Sequence, residues 1–359
     1  MLIQYETLEE WIMEYFNATG IPEMSSTLDG NDEILDVNVL FAVLIVMFSL
    51  TTCLANLGII IAFWKNHQLK EKPNDLLMLA LSVLDFFQGL ILFPLHTSLF
   101  VFDRWIGGET LCKSYIAMAY TSVTAGLLLV SVVSLDRLLL VTMQYPHYVK
   151  YQSKQRILFS IACCLAVSLI PAVVDMAVWD FAKSNSAIAA GIDFDYVCLS
   201  PTRWMPQVSL VFLFVFVLLP VVLVAALSIA FIRALHKRLN RNRRVGTDEE
   251  ESTSSYSGSA GPITSEQRSK RTRNRYIKPG VTLGALVVAM TVSVCPYLSY
   301  VVIVGLVCQP CLRPALVYQL SVLLYSKPLF DAVLYSVTES KMRQFYKSSL
   351  RTLMNHFTR

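Results

Sequence analysis

KSYIAMAYTSVTAGLLLVSVVSLDRLLLVT, residues 113–142, is the stretch on which the fold turns. It is charged at Lys113, uncharged through residues 114–135, and charged again at Asp136 and Arg137. A helix crossing the hydrocarbon core of a bilayer needs about 20 predominantly apolar residues, because each backbone polar group must find its partner within the segment. This stretch meets that requirement. Six more runs of the same character lie near 37–64, 76–98, 157–179, 206–232, 279–307 and 314–336. The expected fold is an all-α membrane protein, a seven-transmembrane-helix bundle. The composition agrees, with 55% hydrophobic and 16% charged residues against a soluble norm of about 45–50% and about 25%. A formal charge of +4 is too small to suggest a nucleic-acid partner, and eight cysteines are too few for a disulfide-dense scaffold. No period of 20–50 residues repeats, which disfavours solenoids and obvious inverted-repeat transporters.

Orientation follows from the basic residues. Residues 1–37 hold nine acidic residues and no Lys or Arg, whereas loops 65–75, 143–156 and 233–278, the 337–359 tail and Arg137 hold 24 of the 30 basic ones. With an odd number of spans, this asymmetry places the N-terminus outside and the C-terminus in the cytoplasm. The chain therefore divides into an acidic extracellular tail (1–36), a transmembrane domain (37–336) and an amphipathic helix with cytoplasmic tail (337–359). The first run is too long and too late to be a cleaved signal peptide. Asn17-Ala18-Thr19 is a glycosylation sequon in the outer segment. Within the long loop at about 240–275, Asp248-Glu249-Glu250-Glu251 and the Ser, Gly and Thr that follow have too little apolar content to pack, so a disordered insert is expected there. Its flanking basic clusters, Lys237–Arg244 and Arg268–Lys278, read equally as anchors beside anionic lipid or as a partner-binding surface.

Local motifs give the pattern a family. Leu54-Ala55-Asn56-Leu57 stands in the first run, and Leu79-Ala80-Leu81-Ser82-Val83-Leu84-Asp85 in the second, followed by Pro94. Trp105-Ile106-Gly107-Gly108 precedes Cys112, and the third run ends in Ser134-Leu135-Asp136-Arg137-Leu138 before Tyr145-Pro146. Pro220 and Pro296 stand in the fifth and sixth runs. In this order they resemble the rhodopsin-like G protein-coupled receptors from about residue 40 to 350. The resemblance implies a Cys112–Cys198 disulfide on the outer side and a conformational switch. In that switch an extracellular ligand opens a cytoplasmic cavity to a heterotrimeric G protein, Arg137 reaching the G protein and Asp136 restraining it at rest. Cys308-Gln309-Pro310-Cys311 reads as a small outer disulfide clip, like those of amine-type receptors. Residues 338–350 resemble the helix that lies along the inner leaflet; an unstructured basic tail is the other reading. The implied setting is the plasma membrane, with membrane lipid and a second receptor copy as further partners. No cofactor, metal set or catalytic nucleophile is expected, and the chain does not read as an enzyme.

The departures from the family carry equal information. The helix-three aspartate that binds amine ligands is Ala119 here, which disfavours a simple amine. In the sixth run, Val294 and Met290 replace the usual tryptophan and phenylalanine, and Ser228 stands where the fifth run usually has a tyrosine. A pocket lined by Tyr115, Ala119, Tyr120, Val294, Tyr297, Ser321 and Tyr325 would be aromatic and nearly uncharged, favouring a neutral or lipid-like ligand, with a peptide resting on the loops as an alternative. The seventh run reads Lys327-Pro328-Leu329-Phe330-Asp331-Ala332-Val333-Leu334-Tyr335, with Asp331-Ala332 where the family shows Asn-Pro. Ionisable residues inside a span are costly and need partners. Lys327 and Asp331 lie about 40° apart on a helix wheel, one turn from each other. With Asn56 beside them, Lys327, Asp85 and Asp331 are expected to form a buried cluster of net charge about −1. The Lys327 ammonium then replaces the sodium ion that the family holds near Asp85, where Gly126 takes the place of a helix-three serine. The other reading turns Lys327 outward to snorkel. An opsin's Schiff-base lysine would stand at Tyr325, about 200° away on the wheel. Two further functions compete: a non-signalling receptor-like scaffold or heteromer partner, motivated by the missing switch residues, and a transporter, motivated by the Lys327–Asp331 site.

Overall fold

A computed structural model describes residues 31–66, 73–102, 105–184, 198, 211–252, 277–307 and 314–357. Asn17, Cys308 and Cys311 lie outside the described residues, as does most of the 240–275 loop. Every element among the described residues is helical. Helix one runs Asn31–Lys65; helix two is Pro73–Phe87 continued by a π turn, Gln88–Leu92, into Phe93–Phe102. Helix three is Gly108–Thr142, a short helix follows at Tyr145–Tyr151, and helix four is Lys154–Ser184. Helix five opens with a π turn, Leu213–Leu218, and continues as Leu219–Ser252; helix six is Lys278–Val307 and helix seven Pro314–Thr338. The amphipathic helix is Ser340–Phe357.

Several helices run a turn or so past the boundaries read from sequence, and two boundaries differ most. Helix one begins at Asn31 instead of near 37, and helix five continues to Ser252, through residues assigned to the disordered insert. In both places polar residues extend an apolar helix beyond the bilayer's thickness: helix propensity carries the chain on, and Glu, Arg and Asn tolerate it once nucleation has occurred.

Helix three is the axis, packing on helices two, four, five and six, while helix seven closes the ring against six, two and one. Among the described residues, six of the helices carry apolar windows long enough to cross a membrane. Their outward faces are apolar too: Leu54 is 69% exposed and Phe159 71%. In water such faces would be an aggregation hazard; in hydrocarbon they are the solvated surface.

Inside, the main core joins Phe63, Leu77, Leu127, Val130, Leu286 and Met290. Helix one is tied to two neighbours. Asn56 Nδ2 donates to the carbonyls of Thr52 (3.0 Å) and Pro328 (3.3 Å), and Ser49 Oγ donates to the Gly89 carbonyl at 2.7 Å. Gly89 suits this close approach, since a Cβ would stand 3.0 Å from Cys53 Sγ and 3.1 Å from a Thr52 methyl, tight enough that those side chains would have to give. At the Arg137 end, Arg238 of helix five donates to the carbonyls of Val141 and Met143 (3.0 Å), supplying a cation to the acceptors that a helix C-terminus leaves open. The amphipathic helix docks through Met342, fully buried, and through Tyr346 against Gly58.

Candidate functional site

Three side-chain groups lie along the bundle axis. The first is at the foot of helix three. The Asp136 carboxylate is 3% exposed; Tyr148 Oη donates to its Oδ1 at 3.0 Å, and Gln152 Nε2 donates to the same oxygen. Arg137 Nη1 stands 3.7 Å from Oδ2, which accepts no hydrogen bond among the described residues. The aspartate's charge is thus satisfied chiefly by the Tyr145–Tyr151 helix and the residue after it, and its hold on Arg137 is loose. Asp136 and Arg137 were legible in the sequence. Tyr148 and Gln152 were not, because they reach helix three only after the chain turns back at Gln144.

The second group is in mid-bundle. Lys327 Nζ donates to Asp331 Oδ2, with the two side chains 9% and 2% exposed, so the lysine faces inward and does not snorkel. Asp85, 1% exposed, is within electrostatic range of both. Its Oδ2 has no hydrogen-bond partner among the described residues, and neither does Asp331 Oδ1. The three-membered cluster expected from sequence is therefore an ion pair with a carboxylate beside it. The reason is geometric: four residues' spacing puts Asp331 within reach along the same helix face, so the lysine stem closes on its own helix first. Asn56 belongs to this level but bonds backbone carbonyls, not the charges. Ser293 and Ser326, the latter next to Lys327 in sequence, meet Oγ to Oγ at 3.2 Å, joining helices six and seven.

Gly126 gives the ammonium its room on the helix-three side. A Cβ there would lie 3.5 Å from Lys327 Nζ, an ordinary contact. Gly126→Ala should therefore fit without displacing the lysine and should gain about 0.5–1 kcal/mol from helix propensity. Equilibrium unfolding in mixed micelles checks this; a loss of stability would mean that the ammonium packs against helix three more tightly than described.

The third group lies at the opposite end. Cys112 and Cys198 form a disulfide, which packs with Trp105, Tyr115, Ile116 and Trp179. The residues expected to line one pocket are divided among separate clusters. Tyr115, Ala119 and Tyr120 belong to this aromatic group, Tyr120 also facing Phe212 at 6.0 Å between ring centroids. Val294 is 1% exposed in the main core, with Tyr297 packed against it. Tyr325 packs with Ile45 and Phe93. Ser321 lies on helix seven, and its side chain is outside the described residues. His96, which the sequence reading passed over, links two of these groups: Nδ1 is 2.9 Å from Tyr115 Oη, which stands 3.5 Å from Tyr325 Oη. The signal was available, since a histidine within an apolar span meets the same criterion that singled out Lys327.

Comparison with known proteins accords with this arrangement. The chain matches the 7 transmembrane receptor (rhodopsin family) model over residues 55–335. A muscarinic acetylcholine receptor of Caenorhabditis elegans is 31% identical over 132 residues, 37% of this chain and 21% of that receptor. A neuropeptide Y receptor type 4 of Mus musculus is 33% identical over 120 residues, 33% of this chain and 32% of that one. A 5-hydroxytryptamine receptor 1B of Equus caballus is 28% identical over 125 residues, 34% and 32% of the two chains. The chain thus spans about a fifth to a third of the length of the curated relatives it matches. These relatives are receptors, not enzymes. With a family match covering most of its length, long apolar helices packed about helix three and a disulfide from helix three, this multi-pass membrane protein belongs to the rhodopsin family of seven-transmembrane receptors.

Proposed function

We propose that this chain is a plasma-membrane receptor with its N-terminus outside, coupling to heterotrimeric G proteins through Asp136 and Arg137, and active in part without ligand. The observation that supports it is the loose hold on Arg137. Asp136 Oδ1 is occupied by Tyr148 and Gln152, and Oδ2 offers the guanidinium only a 3.7 Å ion pair. A weak restraint shifts a two-state equilibrium by little, leaving the open state populated. Val294 and Met290, both 1% exposed in the main core, fill the positions of the missing switch residues with plain packing, which supports a basal equilibrium over a strongly ligand-gated one.

The ligand, on this reading, is not a simple amine, although the muscarinic and 5-hydroxytryptamine receptors among the relatives are named for amines. Ala119 packs among aromatic side chains where the amine-binding acid would stand. At the Arg137 end, Lys341, Arg343, Lys347 and Arg351 on the amphipathic helix suit an anionic lipid surface.

Guanine-nucleotide exchange in membranes, measured at several expression levels without added ligand, tests the proposal. Exchange should rise with receptor level, and Arg137→Ala should reduce it by at least about fivefold. No exchange with any G protein class, or exchange indifferent to Arg137→Ala, would instead favour the scaffold reading, which the missing switch residues also support.

A further inference from the structure

We infer that Gln152, in the two-residue turn between the Tyr145–Tyr151 helix and helix four, weakens the restraint of Asp136 on Arg137, and that Arg156 holds Gln152 in place to do so. Both are positioning residues, and the inference rests on the coupling reading above. Its sign is unusual. Removing a hydrogen bond ordinarily loosens a restraint; removing this one should tighten it.

The strong form of a guanidinium–carboxylate contact is a close, fork-to-fork pair that uses both oxygens. Asp136 and Arg137 do not make it. Tyr148 Oη, at 3.0 Å, and Gln152 Nε2 both donate to Oδ1, and together they fix how the carboxylate is turned. Arg137 Nη1 is left 3.7 Å from Oδ2, beyond hydrogen-bond length. Oδ2 is buried and accepts no hydrogen bond among the described residues, so it remains an attraction for the guanidinium beside it. Of the two donors, Tyr148 is the fixed one, 6% exposed within its helix and part of the main core. Gln152 has left the helical conformation, at φ −79° and ψ 80°, and is only half-buried, so its hold depends on how the turn is kept.

Helix four keeps it. The Gln152 N–H bonds the Tyr148 carbonyl at 2.9 Å, and the Ser153 N–H bonds the Tyr151 carbonyl at 3.0 Å. Ser153 Oγ accepts the Arg156 N–H at 3.3 Å, an N-cap for helix four. The Arg156 side chain then reaches back across the turn: Nη1 donates to the Tyr151 carbonyl at 2.8 Å, and the guanidinium lies over the Tyr151 ring, 4.6 Å from its centroid. Two residues clamped from both ends have little freedom, so the first turn of helix four delivers the Gln152 amide to Asp136. Arg156 acts through the turn alone.

The test pairs ligand-free guanine-nucleotide exchange in membranes with thermal unfolding in mixed micelles, both on the full-length receptor. Gln152→Leu should lower exchange by about threefold, the scale of one ion pair near a protein surface. Gln152→Lys, which keeps a donor on Oδ1, should hold exchange at the wild-type level or above. Arg156→Ala should lower exchange in the same direction, yet add nothing in the Gln152→Leu background, because both act on one carboxylate. In unfolding, Arg137→Leu should lower the Tm by about 2–4 °C more in the Gln152→Leu background than in the wild type, since only there is a close ion pair lost. Exchange that rises or stays level in Gln152→Leu would overturn the inference, as would an Arg156→Ala effect that adds in full. A receptor with no exchange at all would mean that the coupling reading has failed, and unfolding then decides alone. Equal Tm losses from Arg137→Leu in the two backgrounds would overturn the inference, and the larger loss in the Gln152→Leu background would support it.

Discussion

Lys327→Met lowers the stability of the receptor by about 3–5 kcal/mol in equilibrium unfolding from mixed micelles, and Asp331→Leu in the same chain restores most of the loss. The expectation rests on what the single substitution leaves behind. Asp331, its side chain 2% exposed, would lose its cation with Asp85, at 1%, near it, so the site must hold an uncompensated charge or take up a proton or ion from outside. Breaking one partner of a buried pair is far more damaging than replacing both with apolar groups of similar volume. The same variant tests the sodium replacement. Unfolding of the wild type should not respond to sodium, because the ammonium already supplies the positive charge; Lys327→Met should gain sodium-dependent stability, since two carboxylates then share a cavity without a cation. A marked sodium response in the intact receptor would show that Lys327 does not do the ion's work.

The second large effect is at the disulfide. Cys112→Ser should cost about 2–5 kcal/mol, and Cys198→Ser the same, with the double variant no worse than either alone. The bridge joins residues 86 apart in sequence, so it removes much of the freedom of the unfolded chain. It also anchors the aromatic group of Trp105, Tyr115 and Trp179, so near-ultraviolet circular dichroism should lose intensity in each variant. Cys53→Ser provides the contrast, since that thiol is free and makes only a weak contact with the Phe86 carbonyl at 3.9 Å. Additive losses from the two bridge variants would show that the cysteines act separately.

The fold was legible because hydrocarbon imposes length and apolarity on each span, a demand that shows in a single sequence. The pairing of Lys327 with Asp331 was legible for a similar reason: a four-residue spacing fixes two side chains on one helix face before any tertiary contact. Asp85 was identified as buried and charged, but its distance from the lysine depends on the relative rotation of two helices, which no local pattern encodes. The π turns at Gln88–Leu92 and Leu213–Leu218 left no compositional trace, because one extra residue in a turn alters neither hydropathy nor length appreciably. The residues expected around one pocket fall into separate packed groups for the same reason as Asp85: which faces of helices three, six and seven meet depends on the rotation of each helix.

The contact of Arg238 with the last carbonyls of helix three has a mechanical meaning. Any outward swing of helix five at that end draws the guanidinium off the Val141 and Met143 carbonyls and leaves those acceptors without their donor. Separating the two helices there exchanges two charge-assisted hydrogen bonds for bonds to water. Arg238 thus fastens helix five to the end of helix three at the side of the bundle where Asp136 and Arg137 lie.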